Sequence, residues 1–256
     1  MKFKRFGVAA AAIALAFTAG CGGSGGTATE SSDLTKANFA SEVSKAQVDA
    51  QTAHIEAKLD ASGQKLSMSG DMDMTKNDVA FDLSLTGGPL GGGARFILVD
   101  KVIYLKMAQL TKDKYVKIDI GSSDDPAAKM FEQMLGQLDP SKTFKAFDAV
   151  TQLQEKGTQE IDGVETTQYA VTVDTQRALK AQGMAGQVPQ GQMPKTIVYD
   201  VWVDGDNLVR KLRMNVQGNA VDMTLSQWGE PVDISAPPAG QTTDMGSMMG
   251  QMQPQG

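Results

Sequence analysis

Apolar and polar residues alternate strictly along the stretch that follows Ala53. Ile55, Ala57 and Leu59 interleave with His54, Glu56, Lys58 and Asp60. Leu66, Met68, Gly70, Met72 and Met74 interleave with Lys65, Ser67, Ser69, Asp71 and Asp73, and Val79, Phe81, Leu83 and Leu85 with Ala80, Asp82, Ser84 and Thr86. Successive side chains of a strand point to opposite faces, so a period of two predicts antiparallel strands with one buried and one wet face. The same logic places strands over 94–99 and 102–107, joined across Asp100-Lys101 as a hairpin, and over 115–120. Strands resume at 155–161 and 164–173 around the turn Asp162-Gly163. Three more follow at 196–203, 208–216 and 220–226, the middle one alternating imperfectly.

Elsewhere the period lengthens. Phe39, Val43, Ala46 and Ala50 place a narrow apolar stripe on a short helix after Thr35. The strongest helical pattern begins at Asp125, a suitable N-cap, with Pro126 in the first turn and Ala127, Met130, Phe131, Met134, Leu135 and Leu138 on one face. A second helix is predicted after Pro140 with Phe144, Phe147 and Val150 on one side, and a short one over 175–182. Strands with one apolar face need a cover, so the expected fold is α+β: an antiparallel half-barrel sheet, wet on one side and covered by helices on the other.

The two ends of the chain read differently. Lys2, Lys4 and Arg5 precede an apolar run from Val8 to Phe17, which is too short to span a bilayer and has the make-up of a signal peptide over residues 1–20. It ends in Thr18-Ala19-Gly20-Cys21, followed by a Gly/Ser/Thr-rich linker to residue 33. Small residues before a cysteine that opens a flexible linker resemble the lipobox of bacterial lipoproteins, with Thr18 where that pattern usually carries leucine. The resemblance implies diacylglycerylation of Cys21 and cleavage before it; two acyl chains hold a protein at a membrane where one does not. Residues 239–256, with Met245, Met248, Met249 and Met252 among Gln, Gly, Thr and Pro, are expected to be a disordered tail. The globular domain is then 34–238.

Charge and composition narrow the chemistry. The chain has 24 basic and 30 acidic residues; without the first 20 residues, which hold three cations and no acid, its formal charge falls to -9. Nucleic acid is excluded as a partner because phosphate binding needs a positive field. With one cysteine and one histidine, His54, an internal disulfide and a Cys/His metal cluster are excluded as well. The glycine-rich loop 87–93 is not followed by Gly-Lys-Ser/Thr or by a helix, so it is a strand connection and not a phosphate cradle. Asp204, Asp206 and Asn207 begin like a calcium loop but lack its sixth-position glycine and twelfth-position glutamate, and read as a hairpin turn. Asp71 and Asp73 share a wet strand face as two solvated charges, His54 lies on the polar parity of its strand, and no Gly-x-Ser-x-Gly elbow is present. No enzyme chemistry and no cofactor are expected.

Methionine stands out. Outside Met1 and the tail there are ten, of which Met68, Met72, Met74, Met130, Met134, Met214 and Met223 fall on apolar faces. A flexible, polarisable side chain either fills gaps in an ordinary core or lines a cavity that repacks around apolar ligands, and both readings stand on the residues alone.

Asp162-Gly163-Val164 with Thr166, Thr167 and Tyr169, the strand Tyr199-Asp200-Val201-Trp202-Val203-Asp204, and the closing Ser226-Gln227-Trp228-Gly229-Glu230-Pro231-Val232 through Ile234 to Pro238 resemble the LppX/LprAFG-like lipoproteins of actinobacteria, related more distantly to LolA-type carriers. The resemblance implies a curved antiparallel sheet with helices on its concave face, enclosing a cavity for the acyl chains of lipids or lipoglycans. It points to a carrier or chaperone on the extracytoplasmic face of the cell membrane. The candidate ligand wall is Leu66, Met68, Met72, Phe81, Leu83, Leu85, Phe96 and Leu98 from the first strands. Met130, Phe131, Met134 and Leu135 come from the strongest helix, and Met214, Val216, Met223 and Leu225 from the last strands. The alternative is an anchored interaction lipoprotein with a filled core.

Overall fold

The computed structural model describes residues 34–61, 63–75, 79–88, 93–107, 111, 114–121, 149–181 and 193–244. The expected signal peptide, Cys21, the linker, the two helices expected between 125 and 148, and the tail beyond 244 lie outside these residues. So do Met130, Phe131, Met134 and Leu135.

Among the described residues twelve strands form one open sheet. They are β1 (Thr52–Ala61), β2 (Gln64–Asp73), β3 (Ala80–Gly87), β4 (Ala94–Val99), β5 (Val102–Met107), β6 (Tyr115–Asp119), β7 (Val150–Ile161), β8 (Val164–Asp174), β9 (Thr196–Asp204), β10 (Val209–Val216), β11 (Asn219–Ser226) and β12 (Thr242–Asp244). Their spatial order is β12-β6-β5-β4-β3-β2-β1-β11-β10-β9-β8-β7. Every pairing is antiparallel except β12 with β6, which is parallel. Among the described residues two helices accompany the sheet, α1 (Phe39–Ala50) and α2 (Thr175–Ala181).

The register puts the alternating residues into rows across the sheet. Leu98, Phe81, Met72 and Ala53 make one row, and Phe96, Leu83, Gly70, Ile55 and Leu225 the next. Ala94, Leu85, Met68, Ala57, Met223 and Leu212 make a third. At Gly70 the strands approach so closely that a Cβ would run into the Asp82 carbonyl, which is why the central row carries no side chain there.

Helix α1 closes one part of this apolar face. Phe39 and Val43 are fully buried with Tyr169, Val171, Val201, Val209 and Leu225, and the Phe39 ring meets Tyr169 edge-on at 5.8 Å between centroids. Toward the other edge Leu98, Ile103, Val116 and Ile118 form a second apolar cluster on the same face.

Four details differ from the expectation. Val150, expected on the face of a helix, pairs with Val173 and opens β7, because its branched side chain is taken into the α1 cluster. The imperfect alternation of β10 comes from a register shift between Val209 and Lys211, which buries Val209 and leaves Arg210 to pair with Asp204. Strand β2 ends at Asp73, so Met74 lies beyond the alternation that seemed to include it. Residues 239–244, expected in the tail, form a short 3-10 turn and β12, and ordered chain therefore reaches 244.

The segment between β11 and β12 first sends Trp228 against the α1 cluster and then reaches the polar face. The Gly229 N–H donates to the Thr52 carbonyl at 3.1 Å and the Thr52 hydroxyl to the Glu230 carbonyl at 2.7 Å, while Ile234 packs on Ile97, Val99, Tyr115 and Tyr104. These four share the parity of Asp82 and Arg95, so Ile234 covers an apolar patch on the otherwise wet side.

Candidate functional site

Twelve of the sixteen expected wall residues are described, and the register places all of them on one face. Leu98 and Leu225 are buried. Leu66, Met68, Met72, Phe81, Leu83, Leu85 and Phe96 are only half-buried, as are Met214, Val216 and Met223. Side chains that pack into a filled core lose nearly all exposure, as Val171 and Val201 do at 0%. The middle of the sheet thus presents a continuous apolar field less covered than its flanks. Tyr199, opposite Met214 in this field, has its phenol pushed above its ordinary pKa by burial.

Cover varies along the strands. Near the start of β1, Ala53 and Ala57 are 0% and 2% exposed, and Leu225 beside them 9%. Toward the β1–β2 and β10–β11 turns, Leu59, Leu66, Val221 and Met214 are half-buried. Ile55, Met72 and Phe81, at the opposite end, are half-buried as well, so the apolar field is partly open along its length.

The polar face behind it is built from ion pairs. Arg95 grips Asp82 through two nitrogens at 2.8 and 2.6 Å. His54 Nδ1 lies 2.6 Å from Asp71 Oδ1, so the histidine and one of the two aspartates expected to be solvated pair across β1 and β2. Trp202 donates through its indole N–H to Gln159 and lies beneath Lys211 and Arg213, whose charges stand 5.7 and 5.9 Å from its ring. Asp204 is a turn residue: its Oδ1 accepts the N–H groups of Asp206 and Leu208 and its Oδ2 accepts Arg210.

Partial burial pushes the Asp222 carboxyl upward, but the hydrogen bond from Arg213 and the charge of Lys211 outweigh it and hold the group below the usual carboxylate range. A folded pKa below the unfolded value gives stabilisation that is present above about pH 4 and lost as the pH falls through the lowered folded value. Arg213→Ala is expected to raise the Asp222 midpoint in a carboxyl-carbon NMR titration. An unmoved midpoint would mean that the pair does not form in solution.

A groove of about 570 Å³ lies on this polar face. Glu56, Lys58, Ser67, Ser69 and Ser84 line one side of it, and Asp162 of the β7–β8 turn another. In a flat sheet β3 and β8 would stand ~30 Å apart at ~4.8 Å per strand. Their sharing one groove means that the sheet is strongly coiled, as a twist of ~20–25° per strand produces over many strands. Sequence reading passed over this groove because each member is an ordinary wet-face residue; the one available signal was hydroxyls repeating at alternate positions of two paired strands.

With this geometry in view, comparison with known proteins decides the lineage. A family model for the LppX_LprAFG lipoproteins matches residues 35–234. The chain belongs to that family. Among curated relatives, the lipoarabinomannan carrier protein LprG of Mycobacterium tuberculosis and that of Mycobacterium bovis are each 26% identical over 239 residues, covering 90% of this chain and 94% of theirs. The crystal structure of LprF from M. bovis superposes with a TM-score of 0.56 at 18% identity, over 80% of this chain and 97% of that one. That of the M. tuberculosis lipoprotein LppX does so with a TM-score of 0.53 at 20% identity, over 78% and 100%. The fold of this LppX_LprAFG member is thus shared with solved relatives, and the relatives named for a task are named as carriers.

Proposed function

We propose that the protein is an extracytoplasmic lipoprotein, anchored through Cys21, which binds the acyl chains of a lipid or lipoglycan on the apolar face of its sheet and carries them within the envelope without making or breaking a bond. The observation that carries this reading is the half-buried apolar field centred on Met68, Met72, Leu83 and Phe96, in a fold whose flanks are fully packed. Each methylene removed from water contributes ~0.8 kcal/mol, so a chain of about a dozen carbons has enough gross driving force to bind without a specific polar contact. Methionine suits such a wall because it adapts to tails of varied shape. The carrier names of the mycobacterial relatives support the assignment.

The test is native mass spectrometry of protein purified with Cys21→Ser, which removes the anchor's own acyl groups. A stoichiometric co-purified apolar molecule is expected. A domain that is empty and stays empty when offered phospholipid would leave the interaction-lipoprotein alternative in its place.

A further inference from the structure

We propose that Ser69, His54 and Asp71 form a hydrolytic triad on the polar face of the sheet, which cleaves small carboxylic esters held in the neighbouring groove. This activity is independent of the carrier reading, which concerns the opposite face of the same strands. His54 stands directly opposite Asp71 across β1 and β2, and Ser69 lies two residues back along β2 on the same face. Asp71 Oδ1 is 2.6 Å from His54 Nδ1, and Ser69 Oγ is 3.4 Å from His54 Nε2. A carboxylate only accepts, so Nδ1 carries the ring proton and Nε2 is left as the acceptor that faces the serine hydroxyl. Each ring nitrogen therefore meets the partner required of a base placed between a nucleophile and an orienting acid. A nucleophile–base contact of this length is common before substrate tightens it. The missing Gly-x-Ser-x-Gly elbow does not count against the arrangement, because a triad is defined by geometry and roles and not by chain order.

Ser69 is exposed and lines the groove of about 570 Å³, with Ser84 opposite it on β3. Lys58, on the same lining, takes the cross-strand diagonal of Ser69 away from His54. Long side chains reach across that diagonal, so the ammonium is placed to offset the negative charge that develops on an ester oxygen as the hydroxyl adds. Asp222, opposite Lys58 on β11, is held by Lys211 and Arg213. Glu56 lies directly across from Ser69 and Asp71 beside it, which disfavours an ester whose acyl part is itself anionic. In the reaction Ser69 Oγ bonds to the carbonyl carbon while its proton passes to His54 Nε2. The bond to the alcohol oxygen then breaks, and that oxygen leaves with the proton from Nε2. Water adds to the acyl-serine and gives its proton to Nε2, and the carboxylic acid departs as Ser69 recovers that proton. Asp71 keeps its charge throughout and holds the ring.

The experiment follows hydrolysis of p-nitrophenyl acetate and butyrate by the full chain carrying Cys21→Ser, which removes the one thiol that would itself attack the ester. A positioned base contributes ~10²–10⁴-fold, and a groove open to water should realise the lower end, so S69A and H54A should each lose about a hundred-fold of the rate above buffer. A fluorophosphonate probe should add to Ser69, located by peptide mass mapping, and should not add in H54A. Asp71 acts as a positioning residue: D71N should lower kcat with KM little changed, and D71E should restore part of the loss. Because the chain has one histidine, its ring nitrogen NMR signals read the tautomer directly, with the proton on Nδ1 in the parent and that preference lost in D71N. Thermal unfolding is checked for each variant. Hydrolysis at the buffer rate, hydrolysis kept in S69A, or a label on another residue would overturn the proposal.

Discussion

Replacing Leu83 with glutamate is expected to empty the protein of apolar ligand while leaving it folded. Leu83 sits between Gly70 and Phe96 in the central row, half-buried, where the register exposes one side of it to the space over the sheet. A carboxylate introduced there keeps water around itself, and an acyl chain that covered it would have to desolvate a charge, at a cost of several kcal/mol. That exceeds what a few methylene contacts return. The two readings of the methionine-rich face separate at this position: in a filled core the same change buries a charge and unfolds the domain. Native mass spectra and thermal unfolding of L83E, side by side with the parent chain, tell them apart. Loss of ligand with a near-unchanged melting temperature is the carrier outcome, and retained ligand would remove Leu83 from the wall.

Phe39→Ala should be the most damaging single truncation in the described structure. The ring is 0% exposed, packs edge-on against Tyr169, and joins α1 to β8, β9 and β11. Deleting a buried phenylalanine costs ~3–5 kcal/mol, because the transfer energy is lost and the helix cannot collapse fully into the gap. For a domain of this size that is a fall of roughly 10 °C in melting temperature. Calorimetry measures it directly. A loss under about 1 kcal/mol would show that α1 is not docked as described.

The period-two stretches from Ala53 to Thr86 needed only alternation to be read, and within β1, β2 and β3 the register confirms that each apolar set shares a face, with Met74 and Val79 outside those strands. Strand β7 was harder. Its first half alternates in burial, with Thr151 and Leu153 partly covered and Gln152 and Gln154 exposed, but only Leu153 of these is apolar, so the alternation does not show in the residue types and the strand could be read only from its second half. Ile97-Leu98-Val99 is apolar on both parities because Ile234 covers one side and the Ile103 cluster the other. A run buried on both faces loses its alternation, and the covering segment lies over 130 residues away in sequence. The polar groove was illegible for a related reason: it exists through coiling of the sheet, which brings Asp162 to strands that are distant in the pairing order. Local patterns carry no term for that.

The two margins of the sheet are finished by different means. β12 lies along β6 and occupies backbone groups that would otherwise face outward. β7 is left uncovered by any described strand, but its pairing with β8 is broken twice, between Val150 and Gln152 and between Glu155 and Gly157. Such kinks make a poor template for a second chain. These two finishes keep encounters between neighbouring copies from growing into stacked ribbons.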